Sequence, residues 1–492
     1  MEVTAAARLR FALQAACCYT VPMKHVAIIG GGISGLAAAY RLHKAGARVT
    51  LLEATDHLGG VIGTVRHGDC LLETGPDCWA SNKPAAMELA NELGLGDEII
   101  GTRAGVRRSF ILHHGSLKRL PEGFFLISPM SIKALIKTPI LSWPGKIRMA
   151  LELFKGVRRD DADESLASFV RRRFGKEALA RIAQPMIAGI YTADPEKLSL
   201  KATFPAFIEM ERKQGSVIKA LRKRAKGEAG KAKTGGEVSK AAGPRYGLFV
   251  TFKGGMSTLP DALADALPEG SIRKNTRVAG LKREGESWQL VTDAETINAD
   301  AIVLALPAHA SAGLLRDTDA ELTDALGEIE YAGAAVVNFI FDRSQIVHSM
   351  DGIGAVIPAV EGRRIIAFSY SSVKFEGRAP EGTAVVRVFM GGALNPEVAQ
   401  ASPDEQTQIA LEELRGLIGV KGEPKFALAG SHKGAMAQYH VGHLERVAKI
   451  RELARQHTTL AIIGNGFDGV GIPDCIRNAN EATATLLDQL GA

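Results

Sequence analysis

Six consecutive residues, Gly30-Gly31-Gly32-Ile33-Ser34-Gly35, constrain this 492-residue chain more than any other stretch. They follow a β-branched run, His25 to Ile29, and open a pattern in which Leu36, Ala39, Tyr40 and Leu42 recur at helical spacing until Gly46 stops it. Arg48 to Leu52 reads as a second strand, and Glu53 closes it 18 residues beyond Gly35. A glycine fingerprint is weak alone. Placed between strand and helix, with an acid ending the next strand, it reads as a dinucleotide site. The first glycine permits the turn, the second lets a pyrophosphate approach the backbone, and the third lets helix and strand pack closely. The free N–H groups and dipole of the helix start favour phosphate. Glu53 can accept both ribose hydroxyls and disfavours a 2′-phosphate, which argues against NADP.

Two further glycine clusters choose between dinucleotides. Leu58-Gly59-Gly60 lies just after Glu53 and Ala54, and Glu73-Thr74-Gly75-Pro76-Asp77 follows it. Such turns bring backbone to the same ligand from a second side and extend contact toward a flavin, so FAD is expected rather than NAD. Near the C-terminus, an apolar run leads into Gly464-Asn465-Gly466-Phe467-Asp468-Gly469-Val470-Gly471-Ile472 and then a helix. Its N–H groups would face the flavin pyrimidine ring and stabilise negative charge there. Asp468 reads equally as a ribityl contact or a cap.

Charge narrows the partners. The net charge is +6, but residues 212–240 hold ten Lys/Arg and two Glu, which leaves the rest of the chain at −2. A nucleic-acid face spread over the fold is therefore not expected. Five cysteines without a CxxC pair argue against a disulfide framework, a zinc site or an iron–sulfur cluster, and for a reducing, cytoplasmic setting. No run of about 18 apolar residues suggests a membrane-spanning helix.

The expected fold class is α/β with α+β: a Rossmann-type FAD-binding domain, a mixed-sheet substrate domain and an inserted helical lobe. Residues 1–22 read as an N-terminal extension before Met23-Lys24-His25, from a targeting segment or an early start. The FAD-binding domain takes 23–83, 246–310 and 446–492. The helical lobe takes 84–210, a basic flexible insertion 211–245, and the substrate-domain sheet 311–445. A helix is expected over Asp163 to Phe174. Strands are expected over Ala334 to Phe341, Ile365 to Tyr370 and Ala384 to Phe389, and a helix over Pro403 to Ile418.

These glycine clusters, with Gly189-Ile190-Tyr191-Thr192-Ala193-Asp194-Pro195, Phe252-Lys253-Gly254-Gly255-Met256 and Gln438-Tyr439-His440-Val441-Gly442-His443, resemble the porphyrinogen oxidases, haem-biosynthesis flavoproteins of the flavin amine oxidase superfamily. The resemblance covers nearly the whole chain. It implies FAD-dependent oxidation of a porphyrinogen to a porphyrin in three hydride steps, with molecular oxygen as acceptor and hydrogen peroxide as product. It implies that Gly30, Gly31, Gly32, Ile33, Ser34, Gly35, Glu53, Ala54, Gly59, Gly60, Gly75, Pro76, Asp77, Val278, Gly464, Val470, Gly471 and Ile472 hold FAD. It places Gly189, Thr192 and Ala193 near the tetrapyrrole, with Tyr191 either there or in the core. No catalytic side chain is assigned, because the flavin does the redox work.

Where mitochondrial and plastid members carry Arg-Phe, this chain has Ser109-Phe110, preceded by Arg107 and Arg108. That departure resembles the bacterial branch acting on coproporphyrinogen III, with protoporphyrinogen IX close behind. Arg107, Arg108, Lys118 and Arg119 either meet the extra propionates or form a solvated basic edge. Any membrane contact would be peripheral, through the helical lobe. The oligomeric state is left open. An amine oxidase or desaturase of the same fold, an NADPH-linked reductase and a non-enzymatic scaffold are the other readings.

Overall fold

The structure, a computed structural model, describes residues 23–106, 108–120, 124–125, 127–224 and 248–491. The N-terminal extension, Arg107 and most of the basic insertion lie outside the described residues.

His25–Ile29 is the middle strand of a five-stranded parallel sheet, flanked by Arg48–Leu52 then Ile272–Arg273 on one side and by Ala301–Leu304 then Leu460–Ile462 on the other. All five of its residues are buried, as expected for a parallel strand covered on both faces. The chain adds Arg48–Leu52 on one side and later returns to the other. Strand order therefore reverses at His25–Ile29, and a crevice forms at the carboxyl ends, where ligands bind in open α/β sheets. Helices Ile33–Lys44 and Ile472–Leu490 both start at this edge and pack on one another with Pro84–Glu92. The buried Cys475 thiol hydrogen-bonds Ser34 between the two helix starts, and burial pushes the thiol up to about 11.

The second sheet has seven strands, in the order Phe426–Ala437, Tyr331–Asp342, Thr383–Gly391, Ile365–Tyr370, Gly354–Val356, Phe110–His113 and Ser116–Arg119. One pairing, Gly354–Val356 with Phe110–His113, is parallel, so the sheet is mixed. Val337, Phe339, Val386 and Val388 pack one face on Ile409 and Leu414 of helix Pro403–Ile418. Asn338 and Arg387 leave the other face toward residues 73–75. The lobe is a separate core around Phe169, Phe174, Ile182 and Phe207. At its centre Glu152 and Arg173, both fully buried, form an ion pair.

Several boundaries differ from the sequence reading. Residues 84–210 are not one helical unit. Pro84–Glu92 joins the FAD-domain core, Ile99–Gly101 pairs with Phe249–Phe252, and two strands from 110–119 form the edge of the seven-stranded sheet. Strands of three or four residues carry too little alternation to be seen. The insertion expected from 211 starts later. Helix Pro205–Gln214 runs through Glu211, residues 217–224 are helical, and Val217, Ile218 and Leu221 are buried in the lobe. Helices Ala308–Leu315 and Ala320–Gly327, expected partly in the substrate domain, pack in one core with Ile29 and Leu304. The helix expected from Asp163 begins at Leu166, because the Ser165 hydroxyl caps it by accepting from Ser168 N–H at 3.1 Å. Among the described residues, no helix is long and apolar enough to cross a membrane.

Candidate functional site

The four glycines of the fingerprint serve different ends. Gly30 has φ +106°, and a side chain there would meet the Ala305 carbonyl oxygen at 2.6 Å. One on Gly31 would meet Leu58 at 2.7 Å, and one on Gly35 would overlap the Gly30 carbonyl. Gly32 is unlike these: its nearest neighbour would be the Gly60 Cα at 4.0 Å. The protein's own packing does not demand glycine at position 32. The close approach of a pyrophosphate to the backbone would demand it. Among the described residues no side chain caps helix Ile33–Lys44 at Gly32, or helix Ile472–Leu490 at Gly471. Two uncapped helix starts at one crevice suit a dinucleotide and a flavin ring that gains negative charge.

Glu53 ends its strand half-buried. Its carboxylate accepts from Gly31 N–H on Oε2 and from Thr55 N–H and Oγ1 on Oε1, all at 2.8 Å, which fixes the acid against the glycine turn and leaves Oε2 capacity for a ribose hydroxyl. Exposed Ala54 follows it. Gly59 N–H donates to Gly31 O at 2.8 Å, which sets Gly59-Gly60 directly on the fingerprint, as the second-side reading expects. Val278 is buried in the core that holds Ile29 and Leu52, close to Thr276, whose N–H donates to Glu53 O.

The Glu73–Asp77 turn needs one correction. The Asp77 side chain is not available to a cofactor. It is buried, and both its oxygens accept from Lys374 Nζ, at 2.8 and 3.0 Å, with Arg387 3.4 Å away. Burial alone would raise its pKa, but the two cations overcome this and hold it well below the usual carboxylate range. The backbone of Gly75, Pro76 and Asp77 remains for a ligand. Gly75 is required by the fold itself, since a side chain there would overlap the Val61 carbonyl.

The C-terminal turn is braced by residues whose role the sequence did not reveal. Tyr439 OH donates to Asn465 O and accepts from Gly469 N–H, both at 2.8 Å. The His443 ring stacks on Tyr439 with centroids 3.8 Å apart, and its Nε2 lies 2.9 Å from Phe467 O. Asp468 is ion-paired with Arg451 at this turn. Gly464, with φ +141°, and half-buried Val470 and Gly471 complete the turn.

The residues expected near substrate separate into two places. Gly189 is exposed and lies near the end of helix Gln184–Tyr191, where a side chain would meet nothing within 4 Å. Thr192 ends that helix in the left-handed region, φ +49°. Thr192 and buried Ala193 border a cavity of about 380 Å³ with Gln184, Ile357 and Arg363. Tyr191 packs among Phe204 and Tyr439, which is the core reading, and burial pushes its hydroxyl up to about 12. A larger cavity, about 710 Å³, opens between the sheet edge and the lobe. Arg108, Lys118, Arg119 and Lys137 surround it over Leu120, Ala134 and Pro139. Asp351 pairs with Arg119 at 3.0 Å and Arg108 at 3.5 Å; Lys118 and Lys137 have no ion pair among the described residues. The sequence missed Lys137 because it comes from another element. Metal-ligating clusters are absent among the described residues.

Residues 33–487 match the model of the flavin containing amine oxidoreductases. The chain belongs to that family. Members it resembles include a coproporphyrinogen III oxidase of Propionibacterium freudenreichii subsp. freudenreichii, 35% identical over 94% of this chain and 91% of the relative. The coproporphyrinogen III oxidase of Bacillus subtilis (strain 168) is 32% identical over 95% and 98%. A crystal structure of a protein from Exiguobacterium sp. 255-15 superimposes with a TM-score of 0.84 at 28% identity, covering 95% of this chain and 99% of that one. As a flavin containing amine oxidoreductase the chain is an FAD-dependent oxidoreductase, and the glycine turns, Glu53 and the two uncapped helix starts are consistent with that cofactor.

Proposed function

We propose that this flavoprotein oxidises coproporphyrinogen III to coproporphyrin III in haem biosynthesis. One observation carries the choice of substrate: among the described residues, the 710 Å³ cavity is lined by four cations, two of them paired with the neighbouring Asp351, around an apolar floor. An apolar macrocycle with carboxylates at its rim matches that combination, and four propionates use the charge better than two. The substrate's class also follows from the relatives' names.

FAD, when bound, supplies the hydride acceptor for each two-electron step, and dioxygen leaves as hydrogen peroxide. The chain's own part is to bind and orient. Backbone N–H groups at Gly32–Gly35 and Gly471–Ile472 hold the cofactor's negative charge, Glu53 takes the ribose, and Gly59, Gly60 and Gly75–Asp77 offer backbone surface. Arg108, Lys118, Arg119 and Lys137 anchor propionates in the larger cavity, while Thr192 and Ala193 border the separate smaller one.

The lobe adds a peripheral membrane contact. Trp143, Ile147, Leu151 and Phe154 recur at helical spacing and are all at least half exposed, with Ile136 beside them. Lys146 Nζ sits 4.7 Å from the centre of the Trp143 ring, and Lys133, Lys137 and Lys155 are exposed nearby. An apolar stripe with a basic surround suits an anionic bilayer surface. The described cysteines, Cys70, Cys78 and Cys475, are free, which supports a reducing, cytoplasmic setting.

The test is an aerobic assay with coproporphyrinogen III and protoporphyrinogen IX side by side, read by porphyrin fluorescence. Faster oxidation of coproporphyrinogen is expected. A preference for protoporphyrinogen overturns the choice of substrate but keeps the class; bound flavin with neither oxidised overturns both.

A further inference from the structure

Residues 73–75 are held by three side chains of the seven-stranded sheet. Asn338 Nδ2 donates to Glu73 O at 3.0 Å, His432 Nε2 lies 2.8 Å from Thr74 O, and Arg387 donates to Gly75 O. Asn338 and Ser369 are the two cross-strand neighbours of Arg387, so the three form one row across the sheet.

This region carries an excess of buried positive charge. Lys374, Arg378 and Arg387 are the cations; Glu73 and Asp77 are the carboxylates. Asp77 is matched by Lys374. Arg378 stands 4.0 Å from Glu73 and spends its other hydrogen bonds on Phe252 O, Lys253 O and Thr251 Oγ1. Arg387 shares Asp77 with Lys374 and reaches it only at 3.4 Å through Nη1. It is 1% exposed, and its Nε and Nη1 have no hydrogen-bond partner among the described residues. Beside it, Ser369 Oγ and Asn338 Oδ1 are also without one. The Phe389 ring, 4.6 Å away, keeps the guanidinium on this face.

Three buried cations that share two carboxylates are costly. The excess persists where another state of the molecule supplies the anion. We propose that Arg387 is a positioning and charge-stabilising residue for the reduced, anionic flavin: through Gly75 it fixes the turn on which the ring lies, and its charge favours the two-electron reduced form. The proposal rests on the reading that FAD lies against Gly75–Asp77. A hydride from the porphyrinogen brings two electrons and one proton to the neutral ring, which leaves one negative charge to be met.

The experiment is a spectroelectrochemical titration of the FAD-loaded protein and its variants. Arg387→Met should shift the two-electron reduction equilibrium at least tenfold toward oxidised flavin, which is about 30 mV more negative. Arg387→Lys, which keeps the charge, should recover most of that shift. Asp77→Asn removes a negative charge from the same cluster and should move the potential the other way. The opposite signs separate charge from simple damage. An unchanged potential in a folded, flavin-loaded Arg387→Met protein overturns the proposal, as does an equal shift in Arg387→Lys. Should Arg387→Met not fold, the Asp77→Asn shift decides: positive supports the proposal, zero or negative overturns it. Protein that carries no flavin at all overturns the underlying FAD reading instead.

Discussion

The Tyr439 hydroxyl and the Gly469 N–H are joined by a 2.8 Å hydrogen bond that ties residue 439, just past strand Phe426–Ala437, to the turn before the C-terminal helix. The same hydroxyl donates to Asn465 O, so one phenol holds two points of the turn. Tyr439→Phe keeps the ring and its stacking on His443 but leaves both backbone groups without that partner. The cost should be about 1–3 kcal/mol, concentrated in the turn. FAD affinity should fall by roughly tenfold or more while the melting temperature of the apoprotein moves by only a few degrees. Calorimetry and flavin fluorescence titration measure the two effects separately.

Gly32→Ala distinguishes a ligand's requirement from the fold's. A methyl at position 32 approaches only Gly60, at 4.0 Å, so circular dichroism and expression should match the wild type. Flavin content, read as the visible-to-ultraviolet absorbance ratio, should collapse. Gly35→Ala should instead damage the fold, because its methyl would overlap the Gly30 carbonyl. A flavin-replete Gly32→Ala protein would remove the pyrophosphate from this turn.

Glu53→Gln should raise the FAD dissociation constant about tenfold to a hundredfold, since hydrogen bonds to a charged group contribute about 1.5–3 kcal/mol. The effect should exceed that of Thr55→Val, which removes only a support of the carboxylate. An unchanged dissociation constant would count against the ribose role.

What could be read before the structure has a clear pattern. The strands His25–Ile29, Arg48–Leu52 and Ile365–Tyr370 and the helix Pro403–Ile418 fall where periodicity and caps put them, because their own residues decide them. Phe426–Ala437 was not expected: its Ala, Gly and Ser residues have weak strand preference, and its pairing with Tyr331–Asp342 forms it. The site divides in the same way. Turns that touch a ligand through backbone announce themselves by glycine. Asn338, Arg387 and His432 do not, since only sheet register brings them to residues 73–75. Asp77 looked like a ligand contact for the converse reason: its partner Lys374 lies almost 300 residues away, |i−j| = 297.

Acid should loosen the fold from within. His25 and His443 are buried, and desolvation lowers both below the usual 6.5. In the unfolded chain they bind protons near that value; in the folded chain they do so only at lower pH. The unfolded state therefore gains protons first, and stability is lost as pH falls below about 6.5. Unfolding midpoints in urea should fall between pH 7 and 5.5. His443→Asn should flatten that slope, and an unaltered slope would assign the acid sensitivity elsewhere.

The exposed stripe gives the last prediction. Trp143, Ile147, Leu151 and Phe154 lie on the helix and 3₁₀ turn Trp143–Phe154, directly over the buried Glu152 that accepts from Val217 N–H at 2.8 Å and pairs with Arg173. The outward side chains can thus be changed while the inward carboxylate holds the element in place. Ile147→Glu with Phe154→Glu should abolish co-sedimentation with vesicles containing anionic phospholipid and leave soluble-substrate turnover near the wild type. Zwitterionic vesicles should bind the native protein weakly, because the lysines supply part of the attraction. Glu152→Ala is the contrasting change: it takes the nearer carboxylate from Arg173 and leaves only Glu211, at 3.4 Å, should cost about 3–5 kcal/mol, and should lower the melting temperature whether or not lipid is present. Binding that survives the double glutamate change would move the lipid contact off this stripe.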